Sequence, residues 1–256
     1  MLKMFKYIAQ NPNNISSWFS KIENCGMRVP KTIIVPTGEE VMKALFMDNR
    51  VDNYNIIYHF VMDKIMPVLK ENNMFFVFMK NGTFSNKFNF GESCKCRASA
   101  EEIALHLIEI GYTSLYLGAG GISEVALREF VGSWKYIQDN IPCIYNGMPL
   151  RPEFRVFYDF DEGKVLYTVN YWDKEYCQDA ISKNATDKIV YNTVYPKIEE
   201  FYEKHKEQVA EMVGNATKNV EMTGKWSIDV MYDEESDDYW LIDMAVAEQS
   251  AYWVEK

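Results

Sequence analysis

"WSIDVMYDEESDDYWLIDMA", residues 226–245, is the stretch whose reading decides the fold. It holds two apolar runs, "WSIDV" and "WLIDMA", each interrupted by one aspartate and joined by a strongly acidic centre. Apolar runs of this length, bounded by a polar cluster, read as two strands about a hairpin. Tight antiparallel pairing would bring Asp229 and Asp243 to one place, where two inward carboxylates repel unless something positive lies between them. A hard divalent cation such as Mg2+, shared with phosphate oxygens, meets that requirement. The hairpin acids Asp233, Glu234, Glu235, Asp237 and Asp238 read as a solvated turn.

Working back along the chain, "PEFRVFYDFDEGKVLYTVNYW" is a pair of strands about the turn "DEGK". Strand periodicity places Glu153 and Arg155 on one face, with Phe154 and Val156 on the other. The planar guanidinium fork of Arg155 suits phosphate oxygens, and its plain alternative is a cross-strand salt bridge to a carboxylate. Arg151 is either a second phosphate contact or a cap on the loop. In "VALREFV", alternation separates Arg128 and Phe130 from Glu129, and the backbone at Phe130 and Val131 could offer an N–H and a C=O to an adenine edge.

A cation also ends the strand in "MFFVFMKNGTFSNKF". Burying the Lys80 ammonium alone would cost several kcal/mol, so it must reach solvent or meet an anion such as a phosphate ester. The small-residue loop after it, with Ser85 and Lys87, could surround phosphate oxygens; a solvated hairpin is the alternative. That strand, the loop and "FNF" together read as a hairpin. No Gly-Lys-Ser/Thr phosphate loop is present, and "LGAGG" at 117–121 has the wrong spacing for a dinucleotide fingerprint and reads as a turn.

The remaining segments alternate early and pair late. Residues 1–24 read as two short helices about an Asn-Pro break, the second capped by Asn13 and Asn14. "MRVPKTIIVP" is a short strand bracketed by Pro30 and Pro36. Thr37 and Gly38 cap the helix "EEVMKALFM", and the next helix, "YNIIYHFVMDKIMPVLK", should kink near Pro67. Ser99 and Glu102 make a capping box for "AEEIALHLIEIGY". A long charged helix covers 185–213. The order predicts an α+β protein with a helical segment at 1–27, a small lobe at 28–127 and a C-terminal lobe at 128–256.

Composition narrows the partners. The 256 residues carry 37 acidic against 27 basic side chains, a formal charge of -10, so general binding to nucleic acid or an anionic membrane is not expected. No run approaches the ~18 apolar residues of a membrane span, and the expectation is a cytoplasmic protein. Five cysteines without CxxC spacing suggest neither a disulfide framework nor a zinc site.

Taken in order, the lysine-ended strand with its loop, "REFV", "EFRVF" and the paired "SIDV … LIDMA" resemble the ATP-grasp superfamily, within it the branch of the cell division cycle protein 123 family and its bacterial and phage relatives. "RVPKTIIVP" is similar to the strand that opens many ATP-grasp cores. The resemblance spans residues 28–250 and implies a nucleotide held between two α+β lobes. Lys80 would contact phosphate, Ser85 and Lys87 would lie in the covering loop, and Arg128 to Val131, through Glu129 and Phe130, would form the adenine hinge. Arg155 would hold the γ-phosphate, and Asp229 and Asp243 would bind Mg2+. The family usually has an asparagine two residues after the second acid, where this chain has Ala245; Glu248 is a candidate substitute.

The implied activity is an ATP- and Mg2+-dependent ligase that joins a small-molecule or peptide carboxylate to an amine through an acyl phosphate, with Lys80 and Arg155 as its catalytic cations. The alternative is an ATP-binding assembly chaperone or pseudo-ligase acting on a protein partner. A third reading, "KNGTFSNK" as a nucleotidyltransferase lysine motif, lacks the Asp-Gly that such a motif carries.

Overall fold

The computed structural model describes residues 2–46, 50–181 and 183–255. The chain divides into two compact units. The first takes residues 1–17, 31–130 and 145–148, and the second takes 18–30, 131–144 and 149–256.

The chain opens with α1 (Leu2–Ala9) and α2 (Ile15–Ile22), the latter lying across the sequence boundary between the units. The first unit is built on a sheet of β1 (Thr32–Pro36), β2 (Phe76–Asn81), β3 (Lys95–Arg97) and β4 (Glu124–Arg128), in the order β1-β4-β2-β3 with every recorded pairing antiparallel. One face carries Val35, Val77, Met79, Val125 and Leu127. These side chains pack with apolar residues of α3 (Gly38–Phe46), α4 (Arg50–Phe60), the π-turn Val61–Ile65, α5 (Met66–Glu71) and α6 (Ala100–Tyr116). Met47, expected at the end of α3, lies outside the described residues.

Three local expectations change on folding. Pro67 starts α5 instead of kinking its interior, and the misfit is taken up one turn earlier, where the Met66 N–H donates to the Val61 carbonyl five residues back. "FNF" is not a strand. It lies in a 3-10 segment, Lys87–Glu92, where the Phe90 N–H donates to Tyr145 O at 3.0 Å, and β3 takes the place beside β2. The capping box is half formed: Ser99 Oγ accepts from the Glu102 N–H, but the Glu102 carboxylate takes the N–H of Arg97 at 2.9 Å.

In the second unit α7 (Trp134–Asn140) and the two-residue strand β5 (Cys143–Ile144) precede another, β6 (Met148–Pro149), which straddles the sequence boundary. Its main sheet has the order β10-β9-β7-β8, from β7 (Glu153–Asp159), β8 (Lys164–Asn170), β9 (Lys225–Asp233) and β10 (Asp238–Val246). After α8 (Lys174–Ile181), the 33-residue helix α9 (Ala185–Thr217) packs on β7 and β8. Phe154 meets the rings of Phe201 and Tyr202, and the Tyr202 hydroxyl donates to Thr168 O at 2.8 Å.

Of the hairpin acids between β9 and β10, Glu235 and Asp237 are exposed, as expected of a solvated turn, but Asp233 is not. Asp233 is fully buried against Arg151, Glu235 accepts from the Ser133 N–H and hydroxyl at the start of α7, and Asp238 pairs with Arg28 at 2.7 Å. Arg151 is therefore a strut, donating from Nη1 to Val131 O at 2.9 Å and lying 3.3 Å from Glu234. The loop can approach this closely only because residue 132 is glycine. Gly132 has φ +77°, and a Cβ there would sit 2.8 Å from Asp233 Oδ1 and 3.0 Å from Arg151 Nη2. Gly132→Ala is expected to cost at least ~2 kcal/mol in urea denaturation, because it combines backbone strain with a clash against a buried ion pair.

Candidate functional site

Sheet register sorts the first unit's candidate residues. Phe78 lies opposite Arg128, Lys80 opposite Ala126 and Thr32 opposite Arg128, so these five share the face turned away from the helical core. Lys80 and Arg128 are both buried, and Arg128 Nε donates to Thr32 Oγ1 at 3.0 Å. Above them sits an aromatic group that periodicity alone does not reveal. Phe130 stacks on Phe76 at 4.8 Å between centroids and meets Phe78 and Phe90 edge-on at 6.3 and 6.1 Å.

The loop after β2 is tied down by its first residue. The Asn81 side-chain oxygen accepts from the N–H groups of Thr83 and Phe84, and the Ile15 N–H donates to Gly82 O at 3.0 Å. Ser85 is half-buried, and Lys87 opens the 3-10 segment. Lys80 and Lys87 both act on Cys94: burial pushes that thiol up to about 12, while the hydroxyl of Ser93 and then the two ammonium charges pull it down. The two lysines singled out in the sequence are thus near enough to one sulfur to bias it together.

Glu129 turns back along β1. Its carboxylate accepts from the Lys31 N–H at 2.7 Å and its own N–H donates to Lys31 O at 2.9 Å, so its side chain fixes the end of the β1–β4 ladder. Val131 falls in the second unit, and its carbonyl already accepts from Arg151.

In the second unit, Arg155, Asp229 and Asp243 form one row across three strands, with Arg155 opposite Asp229 and Asp229 opposite Asp243. This row depends on a bulge. From the hairpin, Asp238 pairs with Asp233 and Leu241 with Val230, so an unbroken ladder would set Ile242 against Asp229. The shift between Leu241 and Asp243 inserts one residue and aims the second aspartate at the first.

Arg155 grips Asp229 with both arms of its fork, Nε to Oδ1 and Nη2 to Oδ2, each at 2.8 Å. The cross-strand salt bridge, its plain alternative in the sequence, is what forms here. Burial alone would lower the guanidinium's pKa, but Asp229 and then Asp243 push it above its usual range. Ala245 lies opposite Ser227, whose Oγ is 2.6 Å from Ser250 Oγ. Glu248 occupies an exposed turn just beyond β10. Among the described residues no group of three or more His, Cys, Asp or Glu side chains is arranged to hold a metal ion.

The acids nonetheless suit one Mg2+. Two carboxylates on facing strands offer hard oxygens, and Mg2+ completes its shell with water and phosphate oxygens rather than with a protein cage. Bound there with a nucleotide, the ion would neutralise phosphate charge; Asp229 and Asp243 would hold it, and Arg155 would supply the adjacent cation.

Two α+β units, each built on a four-stranded antiparallel sheet, form an ATP-grasp-like fold. Two solved structures of one protein, Cdc123, carry that conclusion. Cdc123 from Schizosaccharomyces pombe superposes with a TM-score of 0.58 at 17% identity, covering 95% of this chain and 88% of that one. Its C-terminally truncated form gives 0.57 at 18% identity, covering 98% and 90%. VanG D-Ala:D-Ser ligase from Enterococcus faecalis gives 0.43 at 12% identity, over 95% of this chain and 54% of that one. No protein-family model matches the chain, and no curated protein does. Among the described residues no helix is long and apolar enough to cross a membrane.

Proposed function

We propose that this chain binds ATP with Mg2+ and acts on a protein partner, as an ATP-binding assembly factor. The observation that carries the reading is the cross-strand pair Asp229 and Asp243 beside Arg155, with Ala245 at the position where an amide ligand is usual. Two carboxylates can hold one metal against a triphosphate, whereas a second metal lacks its third protein ligand. Such a site favours holding the nucleotide over transferring its γ-phosphoryl group. The resemblance in sequence to the cell division cycle branch and the likeness to Cdc123 over most of both chains point the same way.

In this reading Asp229 and Asp243 hold the ion and Arg155 takes a terminal phosphate oxygen. Lys80 and Lys87, with Ser85, meet the remaining phosphates, and Arg128, Glu129, Phe130 and Val131 form the adenine hinge. The ligase reading is kept as the second one because Arg155 stands next to the acids, the arrangement phosphoryl transfer to a carboxylate would need.

Calorimetry with ATP, ADP and GTP, each with and without Mg2+, tests nucleotide binding. Phosphate release against a panel of amino acids and peptides then separates the readings: stimulation by small amines supports the ligase, and unchanged bound ATP supports the assembly factor. Lys80→Ala is expected to weaken ATP binding by ~1.5–3 kcal/mol, the loss of a charge-assisted hydrogen bond. Equal affinity in the variant would return Lys80 to a structural role in its sheet.

A further inference from the structure

The segment that follows β10 is fastened over Arg155. Ala251 O accepts from Arg155 Nη1 at 3.3 Å, and the guanidinium lies over the Tyr171 ring, 4.8 Å from its centroid. Tyr252 holds this segment in place: its hydroxyl donates to Tyr171 O at 2.8 Å, and its ring packs on Tyr176 at 4.1 Å between centroids. Tyr167 completes the fastening, donating to Tyr252 O at 3.1 Å and accepting from the Val254 N–H at 2.8 Å, while Trp253 stacks on the Tyr167 ring.

One residue in this segment is strained. Tyr252 has φ +69°, a left-handed conformation that a bulky side chain adopts only when its surroundings impose it. Every arm of the Arg155 fork is meanwhile used within the protein, two on Asp229 and one on Ala251.

We infer that Arg155 is a built-in counter-cation for the two aspartates, held there by a latch of Tyr171, Ala251 and Tyr252 that must release it before a metal ion can occupy the acids. The inference rests on the nucleotide-site reading above and adds to it two positioning residues, Tyr171 and Tyr252, and an order of events. A guanidinium bound to both oxygens of Asp229 takes one lone pair of each and sets its positive charge against a divalent cation seeking the others. When a cation and a triphosphate arrive, the fork can turn from Asp229 and Ala251 to phosphate oxygens. The latch is then freed, and the strain at Tyr252 favours its opening.

The test uses the metal alone. Mn2+ binding, followed by electron paramagnetic resonance without nucleotide, is expected to be weak in the wild type. It should be at least tenfold tighter in Arg155→Gln, several-fold tighter in Tyr252→Phe, and lost again when Asp229→Asn is added to Arg155→Gln. Hydrogen exchange at residues 251–254 should quicken when MgATP is added to the wild type. Arg155→Gln and Tyr252→Phe variants that bind Mn2+ no better than wild type would overturn the inference, as would exchange unchanged in a wild type that binds MgATP. A gain of Mn2+ affinity in a protein that fails to bind ATP would instead keep the latch and remove the nucleotide reading.

Discussion

Asp229→Asn is expected to abolish Mg2+-dependent ATP binding and also to lower the stability of the second unit by about 3 kcal/mol, and Asp243→Asn should abolish the binding as well. The loss of stability comes from Arg155. Asp229 and Arg155 expose only 10% and 12% of their side chains and share two hydrogen bonds, so neutralising the acid leaves a largely buried guanidinium without its counter-charge. Removing one member of a buried pair costs ~3–5 kcal/mol, and the amide oxygen left behind recovers part of that. Asp243 contributes charge to the row but does not take the fork. Urea denaturation and calorimetry on the two variants separate the effects; nucleotide affinity unaltered in both would remove the metal site.

The second large effect is expected at Arg151→Ala, which should destabilise the second unit by ~3–5 kcal/mol, again because a buried charge loses its partner. Arg151 and Asp233 expose 1% and 2% of their side chains. The guanidinium also ties Val131 to Asp233 and Glu234 of the β9–β10 hairpin. Adding Asp233→Ala to Arg151→Ala should restore part of the loss, since no isolated carboxylate then remains buried. A cost within 0.5 kcal/mol for the single variant would show that the strut is dispensable.

Strand identity in the second unit was legible because its apolar runs lie between clear turn signals, and Arg155 and the two aspartates could be picked out as a cation and acids in apolar strands. That pairing would bring the two aspartates together was legible as well, and Asp243 does lie opposite Asp229; how the ladder delivers it was not. It depends on one extra residue at Ile242, and a bulge has no signature in the pattern of apolar and polar residues. Asp233 was misread for a related reason: a cluster of charge looks solvated until the chain brings Arg151 to it from far along the sequence. "FNF" looks like a strand by composition, but the ladder beside β2 went to β3 and left it helical. Tyr171 and Tyr252 gave no signal, since one acts through its ring face and backbone oxygen and the other through a hydroxyl on that oxygen, contacts that only the fold brings about.

The central claim is that the Arg155-Asp229-Asp243 row receives the metal ion of a bound nucleotide, and calorimetric titration of the wild-type protein with ATP, in Mg2+ and again in EDTA, tests it most directly. Tight binding in Mg2+ that falls at least tenfold in EDTA is the predicted result. Equal affinity under both conditions, or no binding under either, would contradict it.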